Sequence, residues 1–169
     1  NVSDDLWEVI ALSQQYASVS HGAFDITVGA VSKLWRRAVR RQAFPDEKRL
    51  HLAKAKIGYE KIKLDKKEKK VLLLERGMRL YLGGIAKGYT VDEMVVVLES
   101  FGIERILVDG GGDIRVTEAP PNTIGWSIMK RTIDEDGELQ DKVIFLRDAA
   151  IATSGDQYKY LDWEGKRYS

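Results

Sequence analysis

Leu82-Gly83-Gly84-Ile85-Ala86-Lys87-Gly88-Tyr89-Thr90-Val91-Asp92 is the stretch on which the reading of this chain turns. It follows Met78-Arg79-Leu80-Tyr81-Leu82, which reads as a strand, and leads into an apolar-periodic run from Ile85 to Leu98. The spacing predicts a strand-to-helix junction with two glycines at the turn. The first amides of a helix lack internal partners and carry the positive end of its dipole, and glycine lets a ligand approach the main chain, so a phosphate is favoured there. Lys87 adds a full positive charge. A Gly-Gly turn that only reverses the chain is spelled the same way, and at this level both readings stay open.

Two phosphate motifs are excluded by spacing. A Walker-type loop needs its lysine after the last glycine and before Ser or Thr, whereas Lys87 precedes Gly88 and Tyr89 follows. The dinucleotide fingerprint opens a helix, whereas Gly110-Gly111-Gly112 is followed by Asp113-Ile114-Arg115-Val116, which alternates like a strand.

Outward from the junction, the chain divides into an early helical part and a later strand-rich part. Ser3 with Asp4 and Asp5 predicts a helix start, and the helix should run to about Val19. Ala23 to Thr27 is an extended link before a second helix, Val28 to Val39, with Leu34 and Trp35 on its apolar face. Asp25 or Thr27 would cap that helix, and His21 at the end of the first reads as a favourable C-terminal cation or a surface residue rather than a ligand. Pro45-Asp46-Glu47 opens a third helix to about Lys56. Tyr59–Leu64 and Lys70–Glu75 read as a hairpin, and Met78–Leu82 as the third strand of a meander. The crossover helix, about 85 to 101, should turn Ile85, Tyr89, Met94, Val95 and Leu98 to one side. Strands are then expected at Ile106–Val108, Asp113–Val116, Trp126–Met129, Lys142–Leu146, Ala149–Thr153, Tyr158–Trp163 and from Lys166 onward. Helices early and antiparallel strands late argue an α+β fold, an antiparallel-rich sheet with helices packed on one side.

At 169 residues and 44% hydrophobic, one core and one domain, 1–169, are the expectation. No stretch approaches the roughly 20 apolar residues of a membrane span. The chain starts directly on a helix signal and stops in a strand-like run at Lys166-Arg167-Tyr168-Ser169, which reads as a domain truncated at both ends. The absence of cysteine excludes disulfides and thiol chemistry. Net charge is +1, yet residues 33 to 70 hold 15 Lys/Arg against 5 Asp/Glu. That stretch matches no nucleic-acid motif and lacks exposed aromatics to stack on bases, so a solvated basic face is preferred and no nucleic acid is expected.

Four motifs in order, Gly22-Ala23-Phe24-Asp25-Ile26-Thr27-Val28-Gly29 with Leu34-Trp35, Leu82 to Tyr89 with Val91-Asp92, Gly111-Gly112-Asp113-Ile114, and Ala152-Thr153-Ser154-Gly155-Asp156 with Gly165 to Ser169, span nearly the whole chain. Together they resemble the FAD:protein FMN transferases, the ApbE-type family formerly described as thiamine-biosynthesis lipoproteins. The resemblance implies magnesium-dependent transfer of FMN from FAD onto a Thr or Ser hydroxyl of a target flavoprotein, with AMP released. It places Ala23, Phe24 and Asp25 at the FAD site, which displaces the capping role for Asp25, and makes Lys87 a further FAD contact. Gly84 falls where a main-chain oxygen binds magnesium, and Tyr81 stands where the family usually has an Asp directed at FAD. No catalytic residue is assigned: Gly112-Asp113 and Thr153-Ser154-Gly155 would shape the site, and Ser154 has no histidine base in a partner motif.

The family's remaining side-chain magnesium ligands lie in a C-terminal segment beyond these residues, so a tightly held magnesium ion is not expected here and that segment is an expected partner. The resemblance also implies an extracytoplasmic, membrane-anchored lipoprotein. Two other readings stay open, a FAD-binding module without transfer and a FAD pyrophosphatase giving FMN and AMP.

Overall fold

The structure is a computed structural model and describes residues 1–133, 137–153 and 160–168. The chain forms two compact units, one of residues 1–86 with 155–169 and one of residues 87–154.

In the first unit, α1 (Asp4–Val19) starts as expected, with the Ser3 side chain accepting from the Leu6 amide at 3.3 Å and two acids in the first turn. It buries Val9, Ile10, Ser13 and Ala17, one stripe at helical spacing. His21 and Gly22, both at positive φ, turn the chain off the helix. α2 (Gly29–Arg41) and α3 (Glu47–Lys54, capped by Asp46) follow. The hairpin β1 (Ile62–Asp65) and β2 (Lys70–Leu73) pairs Ile62 with Leu73. Ile10, Ile26, Ile62 and Met78 form the core, with Phe24, Leu64, Leu80 and Leu82 packed against it.

Two expectations are corrected in this unit. Tyr59–Lys61 is a 3-10 turn and not the start of a strand, because Gly58 sits at φ 147 and its carbonyl accepts from Lys61. Met78–Leu82 is extended but is not the third strand of a meander. It meets residues 26–29 through a parallel bridge, Val28 to Arg79, flanked by the Tyr81 amide donating to Ile26 and the Gly29 amide donating to Arg79. The pairing stops there because its partner winds into α2 at Gly29.

In the second unit, α4 (Ala86–Ser100) ends at Gly102, φ 78. It buries Val91 and Val95, four residues apart, whereas Met94 is 49% exposed and lies off the face expected for it. The strands β3 (Leu107–Asp109), β4 (Asp113–Val116) and β7 (Ala149–Ala152) make an antiparallel sheet in the order β3-β4-β7. β5 (Trp126–Ile133) and β6 (Leu139–Leu146) pair along their full length. The last pair, β8 (Leu161–Trp163) and β9 (Lys166–Tyr168), belongs to the first unit. The fold is α+β, with its antiparallel strands distributed over four small sheets among the described residues. Among those residues no helix is long and apolar enough to cross a membrane.

Candidate functional site

The link between α1 and α2 is held by side chains. The Ser20 hydroxyl accepts from the Phe24 amide at 3.0 Å, leaving Ala23 exposed at the bend. Phe24 lies against the core and meets Tyr16 edge-on, with ring centroids 6.3 Å apart. Asp25 Oδ1 accepts from both the amide and the hydroxyl of Thr27, at 2.7 and 2.6 Å. The Thr27 hydroxyl in turn accepts from the Gly58 amide at 2.8 Å. Neither Asp25 nor Thr27 caps α2, whose start has no side-chain cap and whose first amide is satisfied by the Arg79 carbonyl. Asp25 Oδ2 has no hydrogen-bond donor among the described residues, so the carboxylate is oriented on one oxygen and open on the other.

Tyr81 and Gly84 are brought to this link. The Tyr81 amide donates to the Ile26 carbonyl at 2.7 Å, and a Cβ on Gly84 would stand 3.3 Å from Phe24 Cε2. The phenol of Tyr81 folds over Gly83, where a Cβ would come within 2.6 Å of the ring, and the Arg36 guanidinium lies 5.5 Å from the ring centroid. An aromatic ring carrying a cation thus occupies the position where an Asp was expected. Gly84 is exposed, two residues ahead of α4.

Beside Tyr81 the same unit carries a cleft of about 1060 Å³, lined among others by Trp35, Arg36, Arg40, Arg79, Tyr81 and Tyr168. Trp35 packs edge-on to Phe44 and Tyr168, with both centroid distances 5.9 Å, and its buried indole Nε1 lacks a hydrogen-bond partner among the described residues. None of Lys33, Arg36, Arg40 or Arg79 forms an ion pair among those residues, so this wall combines rings with uncompensated cations. Trp35 was legible only as an apolar helix residue, and nothing in the local pattern pairs it with Tyr168.

Lys87 begins the second unit, in the first turn of α4. Its Nζ donates to Asp113 Oδ1 at 2.9 Å and to the Gly111 carbonyl at 3.4 Å. Asp109 Oδ1 accepts from the amides of Gly111 and Gly112 at 2.9 and 2.8 Å, closing the three-glycine turn between β3 and β4. Gly111 and Gly112 sit at φ 78 and 92, a conformation that favours glycine. Thr153 donates its amide to the Gly112 carbonyl, whereas Ser154, Gly155, Asp156 and Ser169 lie outside the described residues. The role of Asp109 was missed; an Asp directly ahead of consecutive glycines, within reach of the amide two residues on, is the signal for such a turn.

Among the described residues no three His, Cys, Asp or Glu side chains gather as a metal site. The one ligand implied, the Gly84 carbonyl, does not make a magnesium shell, so the residues described do not by themselves fit the ion.

Comparison with known proteins gives the family of the chain. The chain is 32% identical over 175 residues to the FAD:protein FMN transferase of Haemophilus influenzae, covering 99% of this chain and 50% of that protein. It spans about half the length of the curated relatives it matches. Among solved structures, the flavin transferase ApbE from Vibrio cholerae superposes with a TM-score of 0.85 at 30% identity, over 99% of this chain and 53% of that one. The ApbE protein of Thermotoga maritima gives 0.82 at 29% identity, over 99% and 54%. The family model described as the ApbE family matches residues 1–169, and the chain belongs to that family.

Proposed function

We propose that this chain is part of an enzyme that transfers FMN from FAD onto a Thr or Ser hydroxyl of a target flavoprotein and releases AMP. The acceptor oxygen bonds to the FMN phosphorus while the pyrophosphate P–O bond breaks. The bridging oxygen leaves with AMP and the hydroxyl proton passes to solvent or phosphate. The observation that carries this reading is the joining of the Ala23-Phe24-Asp25 link to Tyr81 and Gly84 through the Tyr81–Ile26 hydrogen bond and the Phe24–Gly84 contact. The open Asp25 oxygen suits a donor on the sugar or ring of FAD; in the second unit, taken by itself, Lys87 suits a phosphate oxygen. The cationic, aromatic cleft beside Tyr81 adds to the support, because it offers rings for stacking and charge for an anion.

Magnesium dependence belongs to the same proposal, with the Gly84 main-chain oxygen as the one ligand these residues give. So does an extracytoplasmic location on a lipid anchor, which rests on the resemblance alone. Incubation with FAD, Mg²⁺ and a peptide carrying the acceptor Thr or Ser tests the reaction. A covalent flavin adduct by mass, with AMP released, is the expected result. FMN and AMP without adduct would replace transfer by hydrolysis, and bound but intact FAD would leave a binding module.

A further inference from the structure

We propose that Asp113 is a positioning residue for Lys87, fixing where the ammonium presents its remaining donor to an anionic oxygen of the bound dinucleotide. The inference rests on the reading of FAD as the ligand. A lysine in the first turn sits at the unfavourable, positive end of the helix dipole, so helix stability does not explain Lys87 there. A free lysine would also spread its charge over many rotamers. Among the described residues the Asp113 carboxylate and the Gly111 carbonyl take two of its three donors, which leaves one for a ligand.

The acceptors are better fixed than the lysine. The Asp113 side chain is 18% exposed against 50% for Lys87, and Asp113 lies in β4, paired with Ala152 of β7. Gly111 is held by Asp109, and Gly110 lies so close to α4 that a Cβ would meet Val91 Cγ2 at 2.6 Å. The turn, the strand and the helix therefore define one place for the Nζ. An exposed ion pair contributes little stability, so the yield of this one lies in orientation.

The test is a double-mutant cycle in the purified protein, with FAD binding read by flavin fluorescence and folding by thermal melts. Asp113→Ala is expected to weaken FAD binding about tenfold, the scale of a charge-assisted hydrogen bond. Asp113→Asn, which keeps an acceptor oxygen, should fall between and serves if the alanine variant does not fold. In a Lys87→Ala background, the change at 113 should have no further effect. Weakening by the same factor in both backgrounds, or none in either, overturns the proposal. A second arm does not need FAD. Limited acylation mapped by peptide mass should label Lys87 several-fold faster in Asp113→Ala, with other lysines unchanged. If the wild type binds no FAD, the functional reading fails, and the labelling alone then decides the role of Asp113: unchanged Lys87 labelling overturns it.

Discussion

The Thr27 hydroxyl stands between Asp25 and Gly58, donating to the Asp25 carboxylate at 2.6 Å while accepting from the Gly58 amide at 2.8 Å. Thr27 is 0% exposed, so neither partner is replaceable by water without rearrangement. Thr27→Val keeps the shape and removes both hydroxyl bonds, leaving the part-buried Gly58 amide without its acceptor while Asp25 Oδ1 keeps only the backbone amide at position 27. The expected cost is about 2–3 kcal/mol in denaturant unfolding. On the proposed reading, FAD binding should weaken in the same variant, because Asp25 loses one of the two donors that orient it.

Gly29 is where α2 meets the extended segment at Arg79. A Cβ there would stand 2.4 Å from the Arg79 carbonyl oxygen, a main-chain atom that cannot move aside cheaply. Gly29→Ala should therefore break the Val28–Arg79 bridge and cost roughly 3 kcal/mol, visible as a lowered midpoint in a thermal melt.

Gly110 poses a different case, since the atom a Cβ would meet is a side-chain methyl, Val91 Cγ2 at 2.6 Å. Gly110→Ala is expected to cost about 1–3 kcal/mol by overpacking. Adding Val91→Ala should recover part of that loss, even though Val91→Ala alone destabilises. Two costs that simply add would refute this packing.

Arg131 and Asp141 face each other across β5 and β6, with Nε 2.8 Å from Oδ1. The hydrogen bond from Arg131 is the main cause that holds the Asp141 carboxyl below its ordinary value of 3.8; desolvation opposes it, and the charge of Arg131 adds to it. Because the folded value is the lower one, the associated stability is present above about 3.8 and is lost as pH falls through the folded value. The pair is exposed, so the contribution is small and salt-screened. Arg131→Gln should raise the Asp141 titration midpoint in a carboxylate NMR titration, and high salt should shrink the difference.

The elements whose logic is local were legible in the sequence. Ser3 with two acids set the start of α1, Gly102 the end of α4, and the turn after Asp65 the hairpin. Met78–Leu82 was misread as a sheet strand because its alternation says nothing about the partner, which turns into a helix after a few residues. Asp25 looked like a helix cap for a related reason: its actual partner, Thr27, is two residues away, and the geometry that diverts the carboxylate from α2 depends on Gly58. At the candidate site, the positions proposed for flavin came from the resemblance and not from periodicity. The tie from Lys87 to Asp113 joins positions far apart in sequence and belongs to tertiary structure.

The parallel bridge between residues 26–29 and 78–81 has a kinetic meaning as well. α1, α3 and the β1–β2 hairpin consist of contacts between near neighbours, which close quickly. The bridge requires a loop containing two helices and that hairpin to close first, at an entropic cost that local contacts do not bear. The Asp25 link and Tyr81 should therefore be among the last parts of the unit to reach their places during refolding. A ligand holding both would bind only the finished unit and would slow its opening, so nucleotide in the refolding buffer should protect this chain from proteolysis at the α1–α2 link before it changes any other region.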